Sequence, residues 1–182
     1  LHNSKLPTEK LLSALPVYDE MRVELMAGQF LAVYEQSLGT QSVERSMKVA
    51  RYKSGKYTIE RPLHFGAALA QAPKDLIGTY SKYGIPLGEA FQLRDDLLGV
   101  FGDPSQTGKP SGDDLREGKR TALIAIALQK ANTSQQKIIT DNLGDLGLTP
   151  SMISDLQQVI TETGATSHIE LMIEELTNTA LT

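Results

Sequence analysis

Cysteine is absent from the 182 residues, so neither a disulfide framework nor a thiolate metal site can be built. That composition suits a reducing compartment. Basic runs with interleaved aromatics are also missing. With a formal net charge of −4, this excludes a nucleic-acid binder driven by electrostatics. No apolar run approaches the ~20 residues needed to span a bilayer, and no secretory signal pattern opens the chain. Together these absences predict a cytoplasmic protein without a membrane span. The three histidines, His2, His64 and His168, are scattered and give no support to a histidine metal site or triad. Leu1 is not methionine, and the last helical pattern runs to Thr182 without a stop signal. The sequence is therefore expected to be a piece of a longer chain.

What remains is helical nearly throughout. From Thr8 to Ser37, Leu11, Leu12, Leu15, Met21, Leu25, Met26, Phe30 and Leu31 recur at mostly helical spacing, with Pro16 as a kink or first-turn residue. A second helix is predicted over Thr40–Ser54. An Ala-rich third covers Leu63–Ala72, with Pro62 in its first turn and Pro73 as its stop. Asp75–Phe101 reads as one long helix that Gly84, Pro86 and Gly88 can bend. A polar loop over Gly102–Gly118 follows. Further helices are predicted over Arg120–Lys130 and Ser134–Leu143, after the Thr149-Pro150 cap, and from Gly164 onward. No alternating strand pattern of useful length and no obvious repeat is present. The expectation is all-α, a single domain over 1–182, long enough to bury a sizeable core.

The chemistry concentrates in Phe91–Lys119, FQLRDDLLGVFGDPSQTGKPSGDDLREGK. At about 100° per residue, Gln92, Asp95, Asp96, Gly99 and Asp103 fall on one narrow line of the helix. Phe91, Leu93, Leu97, Leu98, Val100 and Phe101 occupy the rest of the circumference. The helix is thus expected to be buried almost all round, with its carboxylates on a buried surface. The competing reading makes the line an ordinary solvated face. Burying charges is expensive, and Lys109 and Lys119 approach from the following loop, so the pattern suits a place where a metal and a polyanion meet. Upstream, Arg51, Tyr52, Lys53, Ser54, Gly55 and Lys56 set basic and hydroxyl groups where one helix is expected to end and the next to begin. A P-loop is excluded, because the GxxxxGK[ST] spacing and a preceding strand are both missing. Taken alone, the run is no more than a basic helix end complementing the macrodipole.

Three segments in this order, YKSGKYTIERPLHFGAAL, GEAFQLRDDLLGVFGDP and TGKPSGDDLREGKRT, resemble the trans-prenyltransferases, or polyprenyl diphosphate synthases. The resemblance covers nearly the whole chain, as the C-terminal half to two-thirds of such an enzyme. Its wording is similar to that of bacterial farnesyl or geranylgeranyl diphosphate synthases. It implies an isoprenoid-synthase-type helical bundle, partial because the N-terminal helices are missing, and a homodimer. It also implies a reaction: Mg²⁺-dependent ionisation of an allylic diphosphate, attack by isopentenyl diphosphate, and loss of a proton. Under this resemblance Asp95 is the main Mg²⁺ ligand, Asp96 supports it, and Gln92 orients the site. Lys53, Lys109 and Lys119 hold the allylic diphosphate, with Ser54 where the family often has threonine. Tyr57 and Phe91 are candidates to line the apolar space near the carbocation.

Two departures stand out. The family pattern is DDxxD, whereas here Gly99 takes the third position, so Asp103 one turn on is the candidate replacement. The first Asp-rich motif and the arginines that bind isopentenyl diphosphate have no counterpart. Asp113 and Asp114 read as groups that fix the loop or stand behind the ligands, and Asp19-Glu20 as a solvated face. Alternatives are a non-catalytic subunit of a heteromeric prenyl synthase, or a diphosphate-binding helical module. A terpene cyclase suits the two-lysine loop less well. With half a metal cluster, this chain mixed with isopentenyl and allylic diphosphates and Mg²⁺ should yield no prenyl product. Clear turnover in that assay would refute the expectation.

Overall fold

The computed structural model describes residues 4–39, 41–108 and 110–182. The described residues are almost entirely helical and contain no strand. Helix α1 (Thr8–Leu38) leads into α2 (Val43–Ala50), a π-helix (Arg51–Glu60), α3 (Arg61–Leu69) and the long α4 (Lys74–Phe101). Two single-turn helices follow, α5 (Pro104–Thr107) and α6 (Asp113–Arg116). Then come α7 (Ala122–Lys130), α8 (Thr133–Asn142), α9 (Pro150–Glu162) and α10 (Ala165–Leu181). Side-chain oxygens start several of these elements. Ser42 accepts from the Arg45 N–H at 3.3 Å and Thr149 from the Met152 N–H at 3.3 Å, while Asn132 and Gln135 form a reciprocal capping box. None of the described helices is long and apolar enough to cross a membrane.

The main core lies among α4 and the later helices. Leu93 and Val100 of α4 meet Leu115, Leu123, Ile124, Ile139, Leu156, Ile160 and Ile169, all fully buried. Helix α4 is less enclosed than its composition predicts. Phe91 and Leu98 are 52% and 47% exposed, and Arg94 and Asp95 lie on the same open stripe. Residues 91, 94, 95 and 98 share a face by helical spacing, and the core contacts of α4 fall on the face of Leu93, Leu97 and Val100.

Two other expectations change. Arg51–Lys56 is not a junction between helices, because the chain stays helical from Val43 to Leu69 and merely widens through the π-helix. At its end the Arg61 N–H donates to the Lys56 carbonyl, five residues back. The expected polar loop also contains α5 and α6. Gly84, Pro86 and Gly88 leave α4 unbroken, and the two glycines serve packing. The π-helix is gripped on both sides: Gly28 of α1 lies against Tyr52 and Lys53, and Gly88 of α4 lies against Gly55. A Cβ at either position would press into backbone, which cannot step aside as a flexible side chain can.

Ion pairs reinforce the grip. Arg51 bonds the buried Glu89 of α4 at 2.5 Å, and Lys56 pairs with Glu24 of α1. Buried Arg61 donates to Glu24 at 2.6 Å and to Glu20 at 2.8 Å, so Glu20 is an ion-pair partner as well as an exposed residue. Gly88→Ala should therefore cost about 1–3 kcal/mol through overpacking against Gly55. Gly66, exposed on α3 with open space around it, should gain about 0.5–1 kcal/mol when replaced by alanine. Urea unfolding of both variants checks this, and equal midpoints would contradict the close-contact account.

Candidate active site

One cavity of about 610 Å³ gathers most of the residues singled out from sequence. The π-helix contributes Lys53 and Ser54, and α4 contributes Gln92, Asp95 and Asp96. Asp114 of α6 and Lys119, just beyond it, complete the polar wall. Glu35 of α1 also lines the space, held by Arg45 of α2 at 2.6 Å. Lys109 lies outside the described residues. Tyr57 and Phe91 are exposed and are not among the residues that line this cavity.

The two adjacent aspartates differ sharply. Asp95 is exposed at the rim, whereas Asp96 is buried, so only one of the pair meets the expectation of a buried surface. The Gln92 amide donates to Asp96 Oδ1 at 2.8 Å and reaches Asp95 Oδ2 at 3.4 Å, holding the pair together from one turn earlier. Burial pushes the Asp96 carboxyl up to about 7, with a smaller push from the neighbouring Asp114 and Asp95 charges. Burial likewise raises Asp114, against its bond from Lys119. Lys119 is itself desolvated, yet bonds to Asp114 and Glu117 outweigh that and raise its pKa. Its ammonium therefore stays charged.

Position 99 explains how Asp114 enters. A Cβ on Gly99 would overlap the Asp114 carboxylate. The glycine that interrupts the DDxxD pattern thus vacates the space that Asp114 fills from α6. Asp114 both anchors the loop through Lys119 and lines the cavity, which extends its expected role. Asp103 does not take that place: it caps α5, accepting from the Ser105 N–H at 2.8 Å, and lies off the cavity wall. The spacing of Gly99 to Asp114 held a signal for this exchange, but only a structure shows the two positions meeting.

The donors suit a hard cation, since carboxylates and an amide oxygen face the cavity with no thiol or imidazole among them. Among the described residues, no three His, Cys, Asp or Glu side chains are grouped closely enough to hold a metal ion alone. Mg²⁺ usually takes one or two carboxylates and completes its octahedron with water and phosphate oxygens. The residues fit an ion that arrives with a phosphate ligand, and the buried Asp96, whose bond from Gln92 and attraction to Lys119 do not offset its burial, is where its charge is wanted.

An all-α bundle whose carboxylates on α4 and α6 share a cavity with a lysine of the π-helix and another beyond α6 belongs to a class of proteins that handle polyanions together with a hard cation. Comparison with known proteins narrows the class. The polyprenyl synthetase family model matches residues 3–163, and the chain belongs to that family. It is 32% identical over 162 residues to the geranylfarnesyl diphosphate synthase of Aeropyrum pernix, covering 89% of this chain and 49% of that protein. Geranylgeranyl pyrophosphate synthase from Corynebacterium glutamicum, solved in complex with isoprenyl diphosphate and magnesium, superposes with a TM-score of 0.96 at 44% identity. That match covers all of this chain and 51% of the solved one. The geranylgeranyl pyrophosphate synthetase of Pyrococcus horikoshii shares the fold, with a TM-score of 0.83 at 23% identity. The chain spans about half the length of these relatives.

The buried carboxyl gives a pH test. The folded state binds a proton on Asp96 up to about pH 7, whereas the unfolded state releases it near the ordinary value of 3.8. Stability should therefore fall as pH rises between those values and level off above. Asp114 shifts in the same direction. In metal-free buffer, Asp96→Asn should gain stability over the unmodified protein, with the gain growing from pH 5 to pH 8. Unfolding midpoints read this directly, and a gain independent of pH would contradict it.

Proposed function

We propose that this chain carries the second half of a prenyltransferase that condenses isopentenyl diphosphate with an allylic diphosphate. The observation that carries the reading is the convergence of Lys53, Ser54, Gln92, Asp95, Asp96, Asp114 and Lys119 on one cavity from separate elements. In such a reaction the allylic C–O bond breaks and pyrophosphate leaves with the electron pair. The isopentenyl double bond then attacks the allylic cation, and a proton departs to restore an alkene. The protein's task is to receive the growing negative charge on the leaving group.

Lys53 and Lys119 would meet the phosphate oxygens with point charges, and the Ser54 hydroxyl would donate beside Lys53. Asp95 and Asp96, with Asp114 opposite, would hold Mg²⁺, which supplies positive charge to the departing diphosphate when bound. Gln92 would keep both carboxylates oriented through the amide contacts already present in the cavity wall. Lys109, expected at the same diphosphate, belongs to this reading on its sequence position alone. The C. glutamicum relative, solved in complex with isoprenyl diphosphate and magnesium, supports the ligand class.

The same reading includes a homodimer in the cytoplasm and an isolated chain without turnover. Helix α1 leaves Val23, Met26, Phe30 and Val33 exposed along one face, the kind of surface that a second copy or the rest of a longer bundle would cover. The half-length match keeps a second reading in play, that of a diphosphate-binding module without chemistry. Calorimetry with inorganic pyrophosphate separates the two. The enzyme reading expects binding that depends strongly on Mg²⁺ and weakens roughly tenfold or more in Lys53→Gln. Binding that ignores Mg²⁺ would favour the module instead.

A further inference from the structure

Among the described residues, Arg120 is the one cation on the cavity wall that the roles above leave unused. It follows Lys119 in the short non-helical link between α6 and α7, and both side chains line the cavity. Its backbone is fixed on either side. Ser46 of α2 donates to the Arg120 carbonyl at 2.9 Å, and Thr121 caps α7 by accepting from the Ile124 N–H at 3.4 Å. Its guanidinium lies beside the C-terminal end of α1, where a Cβ on Gly39 would sit 3.7 Å from a terminal nitrogen.

Among the described residues, no hydrogen bond or ion pair reaches that guanidinium. Its Nε is buried and unbonded. The carboxylates around it are engaged elsewhere: Glu35 with Arg45, and Asp114 and Glu117 with Lys119. Burial alone lowers its pKa, with no opposing partner charge. A half-buried arginine whose Nε is cut off from water and has no anion beside it gains little for the fold from its charge, so ion pairing does not account for its place on this wall. The end of α1 offers it helix-dipole attraction, but no carbonyl bond is made.

We infer that Arg120 is a third anion-binding residue of this cavity, whose planar fork grips two oxygens of the same diphosphate group held by Lys53 and Lys119. A guanidinium matches phosphate geometry bidentately, which a lysine cannot. The buried Nε, left without a partner by the protein, would gain one from the ligand. The inference rests on the diphosphate reading given above, and its test keeps the two apart.

Calorimetry is run on this chain with Mg²⁺ and either inorganic pyrophosphate or geranyl diphosphate, alongside urea unfolding without ligand. Arg120→Gln should weaken both ligands equally, roughly tenfold or more, while its unfolding midpoint stays level or rises. Arg120→Lys should recover part of the affinity. If Lys53→Gln weakens binding and Arg120→Gln does not, the role of Arg120 is overturned and the diphosphate reading stands. If the unmodified protein binds neither ligand, the diphosphate reading falls and this inference falls with it. A lowered midpoint in both Arg120 variants, or weakening confined to the prenyl ligand, would also overturn it.

Discussion

The distance between α1 and α4 is set by the π-helix wedged between them, and glycine is what lets the three run so close. Gly28 meets the backbone of Tyr52 and Lys53, and Gly88 meets that of Gly55. Lys53 is therefore located by backbone packing on its own residue rather than by its flexible side chain. The facing wall, with Gln92, Asp95 and Asp96, begins one turn beyond Gly88 on α4. A contact that fixes Gly55 against Gly88 thus fixes the lysine wall against the carboxylate wall. The wider π-helical turn is tolerated because tertiary contacts on both sides stabilise it, as is common for this form at functional sites.

Two clusters of buried charge flank this wedge, and they are built on opposite logic. In the first, Arg61 bonds Glu20 and Glu24, Lys56 pairs with Glu24, and Ser81 donates to Glu60 at 2.7 Å. Even the unbonded Oε2 of Glu60 has Lys56 at 3.7 Å. Buried ions paired this well hold a geometry without inviting a ligand. In the second cluster, Asp96 and Asp114 are destabilised as anions and Arg120 as a cation, yet they do not neutralise one another. Lys119 alone links the two signs. The fold keeps separate what a metal and a polyanion would bring together, and that separation distinguishes a site from a scaffold.

The all-α class and most helix positions were legible because apolar spacing and the Thr149-Pro150 cap are local signals, whereas the Ser42 cap was missed and the start of α2 was expected at Thr40. Asp95, Asp96 and Lys119 were legible together because chemistry restricts what carboxylates and lysines near one another are good for, whereas Lys53 joined them only through the family resemblance. The π-helix was not, since no periodicity marks an i→i+5 ladder and its cause lies in glycines far along the chain. Asp114 was underrated for a related reason: its entry depends on the missing side chain of Gly99, a contact across fifteen positions of sequence. Arg120 carried no signal, because one arginine before an apolar helix looks like solvent-facing punctuation until its surroundings are seen to lack an anion.

The contrast between Asp95 and Asp96 follows from the same geometry. Asp96 lies on the side of α4 that turns toward Asp114, while Asp95 shares a stripe with exposed Phe91 and Leu98. A carboxylate flanked by two exposed apolar residues is an unusual surface for an isolated domain, because water must solvate both kinds of group at once. In the proposed reading, that stripe borders the reaction space that a full-length relative encloses, so Asp95 would be desolvated only there. The same carboxylate would then feel a drier environment and a stronger pull on a cation than it feels in this chain. In that reading the chain holds Lys53 in place on its own, through the packing of Gly28 on its backbone and of Gly88 on Gly55, but leaves the rim carboxylate wet.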